Sequence, residues 1–221
     1  MTLSDRFFAD LARMGQRRGT DPEHYLVVWC SESGLDPSAV NPGGGARGLN
    51  QMMPDTLRGL GAPADFEALA GEEQLPWIEK LIAIRERLNG GPFESAARYY
   101  HANFFPLTMA RGNSPETVVV GSDAADARER GAYADNKILD ADGDGRITLG
   151  DLAAVLARVR ATRCASAFER LLRAVQALPH PGITWGSAPE PSPVVRRRGA
   201  PIAVGAAVAL GLAGLAMWRG R

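Results

Sequence analysis

The chain has 221 residues, enough for one medium-sized domain with additional segments. Its 25 basic and 25 acidic residues give a formal net charge of zero, so nothing in the overall charge points to nucleic acid as a partner. Apolar residues make up 45% of the chain, which is ordinary for a globular protein.

The first twenty residues predict an amphipathic helix rather than a secretory signal. Phe7, Phe8, Leu11 and Met14 recur at near-helical spacing, and charged residues interrupt the stretch repeatedly. An unbroken apolar core, which a signal peptide needs, is missing. We therefore expect no N-terminal signal peptide.

The next segment predicts a buried helix that ends in an acid. The apolar run from Leu26 to Cys30 leads to Glu32, and Asp21-Pro22 is typical of an N-cap and first turn. A carboxyl at the edge of an apolar helix should have a raised pKa, because low dielectric disfavours its charged form. A general acid working near neutral pH needs this property. Taken alone, Glu32 is more typical of a solvated carboxylate at a helix end, and the glycine loop and Gln51 at matching spacing favour the catalytic interpretation.

A glycine-rich loop follows, and we expect it to return the side-chain amide of Gln51 to the same helix. Gly43-Gly44-Gly45 makes regular structure costly, and a second apolar segment then carries Gly48 and Gln51. Asp36, which precedes Pro37, is the nearest second acid, and its place predicts a turn or cap rather than catalysis.

Two further helices are expected over 74–88 and 93–105, and one long helix over 152–178. Many short helices without convincing strand pairs indicate an all-α domain. Cys30 and Cys164 are far apart in sequence, and the apolar surroundings of Cys30 favour a buried free thiol over a disulfide.

These motifs resemble those of the soluble lytic transglycosylase (SLT-type) domain of the lysozyme superfamily. Glu32-Ser33-Gly34 is similar to the family's E-S-x motif, and Gly48-Leu49-Asn50-Gln51 to its G-L-x-Q motif. The third family motif is A-Y-N-A-G, where this chain has Tyr99-Tyr100-His101-Ala102-Asn103. Tyr100 then takes the tyrosine place and His101 the asparagine place.

The resemblance implies a lysozyme-like fold and cleavage of peptidoglycan glycan strands. Glu32 would act as acid and then as base, and the product would carry a 1,6-anhydromuramoyl end without consuming water. The implied substrate-binding residues are Ser33, Gly48, Gln51, Tyr100 and His101. Three alternatives stay open: a muramidase on the same fold, a non-catalytic peptidoglycan-binding or virion structural module, and a calcium-responsive membrane adaptor.

A second motif, over 140–151, resembles EF-hand and dockerin-type loops. Oxygen ligands in such loops occupy positions 1, 3, 5, 7, 9 and 12, with glycine at position 6. Counting from Asp140 places Gly145 at position 6. The expected Ca²⁺ ligands are Asp140, Asp142, Asp144, Arg146 through its carbonyl, Thr148 and Asp151. We expect bound calcium to be structural, with no cofactor for catalysis.

The C-terminal end predicts a membrane anchor. A proline-rich linker over 179–198 ends in three arginines, and the uncharged apolar run over 199–218 is long enough to span a bilayer. The expected fold is therefore mainly α, with a lysozyme-like domain (1–115), an EF-hand-like helix-loop-helix (116–178), the linker and a transmembrane helix (199–218). With no signal peptide, we expect a membrane-anchored or virion-associated protein, which is compatible with phage origin.

Overall fold

The computed structural model describes residues 3–179, and this part of the chain is mainly helical. The second half of this part also contains two short strands, which pair antiparallel. The helices are α1 (Asp5–Arg18), α2 (Pro22–Ser33), α3 (Pro54–Leu60), α4 (Gly71–Asn89), α5 (Ala96–Phe104), α6 (Ala127–Asp135), α7 (Leu149–Thr162) and α8 (Ala165–Gln176), and the strands are β1 (Val118–Gly121) and β2 (Arg146–Thr148). Short 3₁₀ turns cover Phe66–Ala68, Pro106–Arg111 and Lys137–Leu139.

Helix α2 lies at the centre of the molecule and is buried along most of its length. Asp21 caps its N-terminus by accepting a hydrogen bond from the Glu23 amide, and Pro22 occupies the first turn, as the sequence predicts. Every residue from Tyr25 to Cys30 is buried. Gly34 ends the helix in the left-handed conformation that glycine adopts without steric cost. Glu32 is therefore presented on the last turn of a buried helix.

The expected long helix over 152–178 is wrong, because the chain breaks between α7 and α8. Cys164 stands in the left-handed conformation, with φ of 53°, and α8 then turns back to pack on α1 and α2. No glycine or proline marks this break in the sequence. Left-handed backbone is unusual for a residue with a Cβ atom, which is why helical periodicity alone missed it.

The expectation of a free thiol is also wrong. Cys30 on α2 is disulfide-bonded to Cys164, and the two Cα atoms lie 6.5 Å apart. The burial of Cys30 is confirmed, since the residue is inaccessible to solvent. A separation of 134 residues along the chain gives no indication of this proximity, which depends on the return of α8.

The hydrophobic core continues across the expected boundary between 1–115 and 116–178. Buried side chains of α1, α2 and α5 belong to the same cluster as Val119 and Val120 of β1, Ile147 of β2 and Leu152 of α7. The mainly α fold is confirmed, and the two strands lie outside the expected lysozyme-like segment: β1 and β2 pair antiparallel, with Gly121 opposite Arg146. The aspartate-rich loop over 140–151 (the acidic loop) therefore packs onto the helical domain that carries Glu32.

The expected transmembrane helix over 199–218 lies outside the described residues, as does nearly all of the expected linker. Among residues 3–179, no helix combines the length and the apolar character that crossing a bilayer requires.

Candidate active site

Glu32 sits half-buried on the last turn of α2, with its carboxyl enclosed by protein. Burial raises the pKa of this carboxyl to about 8, and a hydrogen bond from the Tyr100 hydroxyl opposes the rise. No charged side chain of the described residues contributes to this shift. At neutral pH the carboxyl therefore holds its proton and can donate it.

Tyr100, on α5, lies directly against Glu32 and is fully buried. Its hydroxyl faces both Glu32 and Ser31, with a geometry looser than that of an ideal hydrogen bond. Because the tyrosine donates to the charged form of the carboxyl, it stabilises the carboxylate once the proton has left.

Ser33 connects the glycine-rich loop to α2, the helix that carries Glu32, through hydrogen bonds. Its hydroxyl lies 3.1 Å from the Trp29 carbonyl on its own helix and 2.9 Å from the Leu49 carbonyl in the loop. The family resemblance placed Ser33 among the substrate contacts. These two hydrogen bonds connect α2 to the loop, and they hold the Gly48-Leu49-Asn50-Gln51 motif next to Glu32.

Close packing leaves no room for a side chain at Gly48, which its position in the sequence did not predict. Its φ is 72°, and a Cβ atom at this position would lie 2.5 Å from Oε1 of Gln74 and 2.6 Å from the Phe66 ring. Gln74, fully buried on α4, accepts from the Leu49 amide and donates to the carbonyls of Pro37, Phe66 and Leu69. The space that Gly48 leaves is therefore filled by protein atoms, and Gln74 is the buried support of the loop.

Gln51 uses its amide donors within the loop. The Nε2 atom lies 2.9 Å from the Gly48 carbonyl and 3.3 Å from the Ala39 carbonyl, and the backbone of Gln51 has a φ of 45°. Only the carbonyl oxygen Oε1 of its side chain is left for a ligand. A contact between Gln51 and substrate would therefore accept a hydrogen bond rather than donate one.

His101 does not lie in a position to bind substrate, contrary to the prediction. The side chain is fully buried, between Arg98 and Thr108. Arg98 can only donate to Nδ1, so Nε2 carries the hydrogen and donates to the Thr108 hydroxyl. Burial, together with the positive charge of Arg98, lowers the pKa of His101 to about 3. His101 is therefore a neutral core residue that ties α5 to the following turn.

A buried polar network that sequence reasoning missed connects the three motifs. The Asn50 side-chain oxygen accepts from Nε1 of Trp29 at 2.9 Å and from the Tyr99 hydroxyl at 2.7 Å. The Asn50 amide donates to Oδ1 of Asn103 at 3.0 Å, and the Asn103 amide lies 3.4 Å from the Asn50 carbonyl. These hydrogen bonds connect helix α2, the glycine-rich loop and α5 around Glu32. The signals in the sequence were Asn50 within the second motif and Tyr99 and Asn103 within the third.

The acidic loop brings three of the expected calcium ligands together. Oxygen atoms of Asp140, Asp142 and Asp144 lie within 4.8 Å of one another. The backbone at Gly145 has a φ of 91°, which matches the sharp turn that this loop type places at its sixth position. Asp140 also accepts from the amides of Gly143 and Gly145, at 2.7 and 3.0 Å.

The remaining expected ligands are arranged differently. The Asp151 carboxylate accepts from the Ala141 and Thr148 amides, at 3.1 and 2.8 Å, and from the Thr148 hydroxyl at 2.6 Å. It therefore caps α7 and closes the loop instead of joining the three other carboxylates. The Arg146 side chain pairs with Asp123, and Arg146 lies in β2 opposite Gly121. The donor set is composed of the hard oxygen atoms that Ca²⁺ prefers.

Comparison with known proteins gives one match. No curated protein matches the chain, and no solved structure matches it. One family model does match, and members of that family are lytic transglycosylases that act on peptidoglycan. The matched segment includes Glu32, Ser33, Gly48 and Gln51 and ends before Tyr100. Residues 11–72 of the chain are similar to the family described as the Transglycosylase SLT domain.

Proposed function

We propose that this protein cleaves the glycan strand of peptidoglycan by a lytic transglycosylase reaction. The observation that carries the proposal is Glu32, a single enclosed carboxyl whose pKa is raised to about 8 by burial. The similarity of residues 11–72 to the Transglycosylase SLT domain supports the substrate class.

In the proposed reaction, Glu32 acts twice. It first donates its proton to the glycosidic oxygen, and the bond to the muramoyl C1 atom breaks. The resulting carboxylate, stabilised by the Tyr100 hydroxyl, then removes the proton from the sugar's own C6 hydroxyl, which attacks C1. The 1,6-anhydro ring closes, and Glu32 regains its proton. No water enters the products.

Among the described residues, no carboxylate contributes to the raised pKa of Glu32, which supports a route with a single carboxyl. Conventional glycosidases place a second carboxyl within about 5 to 10 Å of the first. Asp36, the nearest acid in the sequence, is held in a turn by the Ser38 amide and hydroxyl, at 2.9 and 2.7 Å. A muramidase on the same scaffold differs only in using water as the nucleophile, and it is the second candidate function.

Calcium binding by the acidic loop is a separate proposal. The three clustered carboxylates and the left-handed Gly145 support it. Since the loop packs into the core shared with α5, the proposed ion would stabilise the fold, and it takes no part in bond cleavage.

Lysis of purified peptidoglycan sacculi tests whether the protein is an enzyme or a binding module. We expect the protein to clear a sacculus suspension, and Glu32→Gln to lose about a hundred- to ten-thousand-fold in rate, as is typical when a general acid–base is removed. Glu116→Gln, which changes an exposed acid, is the matched control. Sedimentation with sacculi without any release of fragments would favour the non-catalytic module.

A further inference from the structure

A cavity of about 590 Å³ lies beside the first turn of α2. Its walls are formed by α8, the C-terminal ends of α1 and α7, and the start of α2. Most of the wall is apolar, with contributions from Pro22, Phe168, Leu171, Leu172, Val175 and Leu178. Because a helix rises about 1.5 Å per residue, Pro22 is about 15 Å from Glu32 along α2. The cavity is therefore separate from the candidate active site.

Helix α8 presents more apolar surface to this cavity than its packing covers. Phe168 and Leu171 are buried in the core, whereas Leu172 lines the cavity and is 58% exposed. Removing apolar surface from water is favourable, so a further apolar group in the cavity would stabilise this arrangement. The cavity thus has the character of a docking site rather than of a finished core.

Acidic side chains border the apolar walls. Asp21, Glu23 and Glu169 all line the cavity, and the basic lining residue, Arg160, pairs with Glu23. The formal charge of the lining residues is therefore negative. An occupant without acidic groups matches this charge better than an anionic one.

The described part of the chain ends in the wall of this cavity. Leu178 and Pro179, its last two residues, both line the cavity, and residues 180–221 follow. The sequence over 180–189 contains no acidic residue, and its bulky apolar residues are Ile183 and Trp185. Trp185 is six residues beyond Pro179, and six extended residues reach about 20 Å. The segment is thus long enough to return to the cavity from which it departs.

We propose that the segment over 180–185 docks in this cavity of its own chain, with the Trp185 indole against Leu172. Tryptophan combines a large apolar area with one N–H donor, which suits an apolar cavity bordered by carboxylates. The Pro181-Gly182 pair is typical of a turn that directs the chain back onto α8. Covalent attachment also keeps the local concentration of the segment high. Docking here is independent of the proposed function and leaves Glu32 uncovered.

Photocrosslinking in the full-length protein tests the docking. The photoreactive residue p-benzoylphenylalanine replaces Leu172, and mass spectrometry identifies the peptides that it joins. We expect crosslinks within one chain to residues 180–185. The matched control position is Leu88 on α4, a helical leucine with a similar exposure of 55%, which should give no crosslink to this segment.

A second substitution separates docking from chance encounters. Trp185→Ala should lower the crosslinking yield at position 172 at least about tenfold, since burial of an aromatic side chain contributes at least that factor. Trp218→Ala, which changes the other tryptophan beyond Pro179, should leave the yield unchanged. An unchanged yield in Trp185→Ala, or the absence of crosslinks to 180–185, would overturn the inference. Crosslinks that join two chains would also overturn it and assign the cavity to a second copy.

Discussion

At Glu32, burial and a hydrogen bond act on the pKa in opposite directions. Burial raises the pKa to about 8, and the Tyr100 hydroxyl lowers it by stabilising the carboxylate. The acid must be protonated to begin the reaction, so activity should fall as the pH rises through about 8.

Removing the hydroxyl should therefore move this alkaline limit. In Tyr100→Phe the carboxylate loses its donor, and the limit in a profile of kcat/KM against pH should shift to higher pH. The rate at the optimum should fall about tenfold, because the carboxylate formed in the first step is less stabilised. An unchanged alkaline limit in Tyr100→Phe would show that Glu32 and Tyr100 are not coupled.

The raised pKa also predicts a dependence of stability on pH. Between the pKa of about 4.5 in the unfolded chain and about 8 in the folded protein, the folded state holds a proton that the unfolded state has released. The contribution of Glu32 to the stability of the folded protein should thus fall as pH rises across this window. The amide side chain in Glu32→Gln does not ionise, so this variant does not lose stability in this way.

We expect the difference in melting temperature between Glu32→Gln and wild type to grow from pH 5 to pH 8 and then to level off. Calorimetry over this range measures it, and Glu116→Gln, which changes an exposed acid, is the control. A difference that is constant with pH would mean that Glu32 is solvated in the folded protein.

At the scale of elements, helix α2 could be predicted almost completely. Its apolar run and Asp21 at the N-cap are local signals, and the structure confirms both. Gln74 could not be predicted, because its partners Pro37 and Leu49 lie 37 and 25 residues away in sequence. Local patterns specify helix ends, and they do not specify which buried amide supports which loop.

The Cys30–Cys164 disulfide joins α2 to the start of α8 and predicts sensitivity to reduction. Loss of a native disulfide typically costs about 2–5 kcal/mol, which corresponds to a fall in melting temperature of about 5 to 15 °C. Melting with and without dithiothreitol should show this fall. Cys164→Ala should melt at the lower temperature under both conditions. Two reactive thiols in the unreduced, denatured protein would contradict the disulfide.

At the scale of the whole molecule, the acidic loop and the helical domain share one core. Thr108 accepts from buried His101 on α5 and lies 2.9 Å from the Val119 carbonyl on β1. Strand β1 pairs with β2, which forms the end of the acidic loop. The sequence predicted the loop from its aspartate spacing but placed it in a separate segment, because these contacts are made by residues without a motif.

Calcium should therefore stabilise the entire fold. Ligand present at a hundred times its dissociation constant adds about 2.7 kcal/mol to the free energy of unfolding, or about 5 to 10 °C in melting temperature. Asp140→Ala should abolish the shift, since Asp140 occupies the first ligand position. Asp135→Ala changes an exposed acid on α6 and should retain it. No shift and no binding heat at millimolar calcium would contradict the proposed site.

The composition of the cleavage products tests the central claim most directly. Sacculi digested to completion by the wild-type protein should give muropeptides with 1,6-anhydromuramoyl ends, each lighter by one water, about 18 Da, than the corresponding hydrolysis product. Mass spectrometry of the released fragments resolves this difference, and reduction with borohydride leaves anhydro ends unchanged. A digest that contains only reducible muramoyl ends would contradict the transglycosylase mechanism and identify the protein as a muramidase.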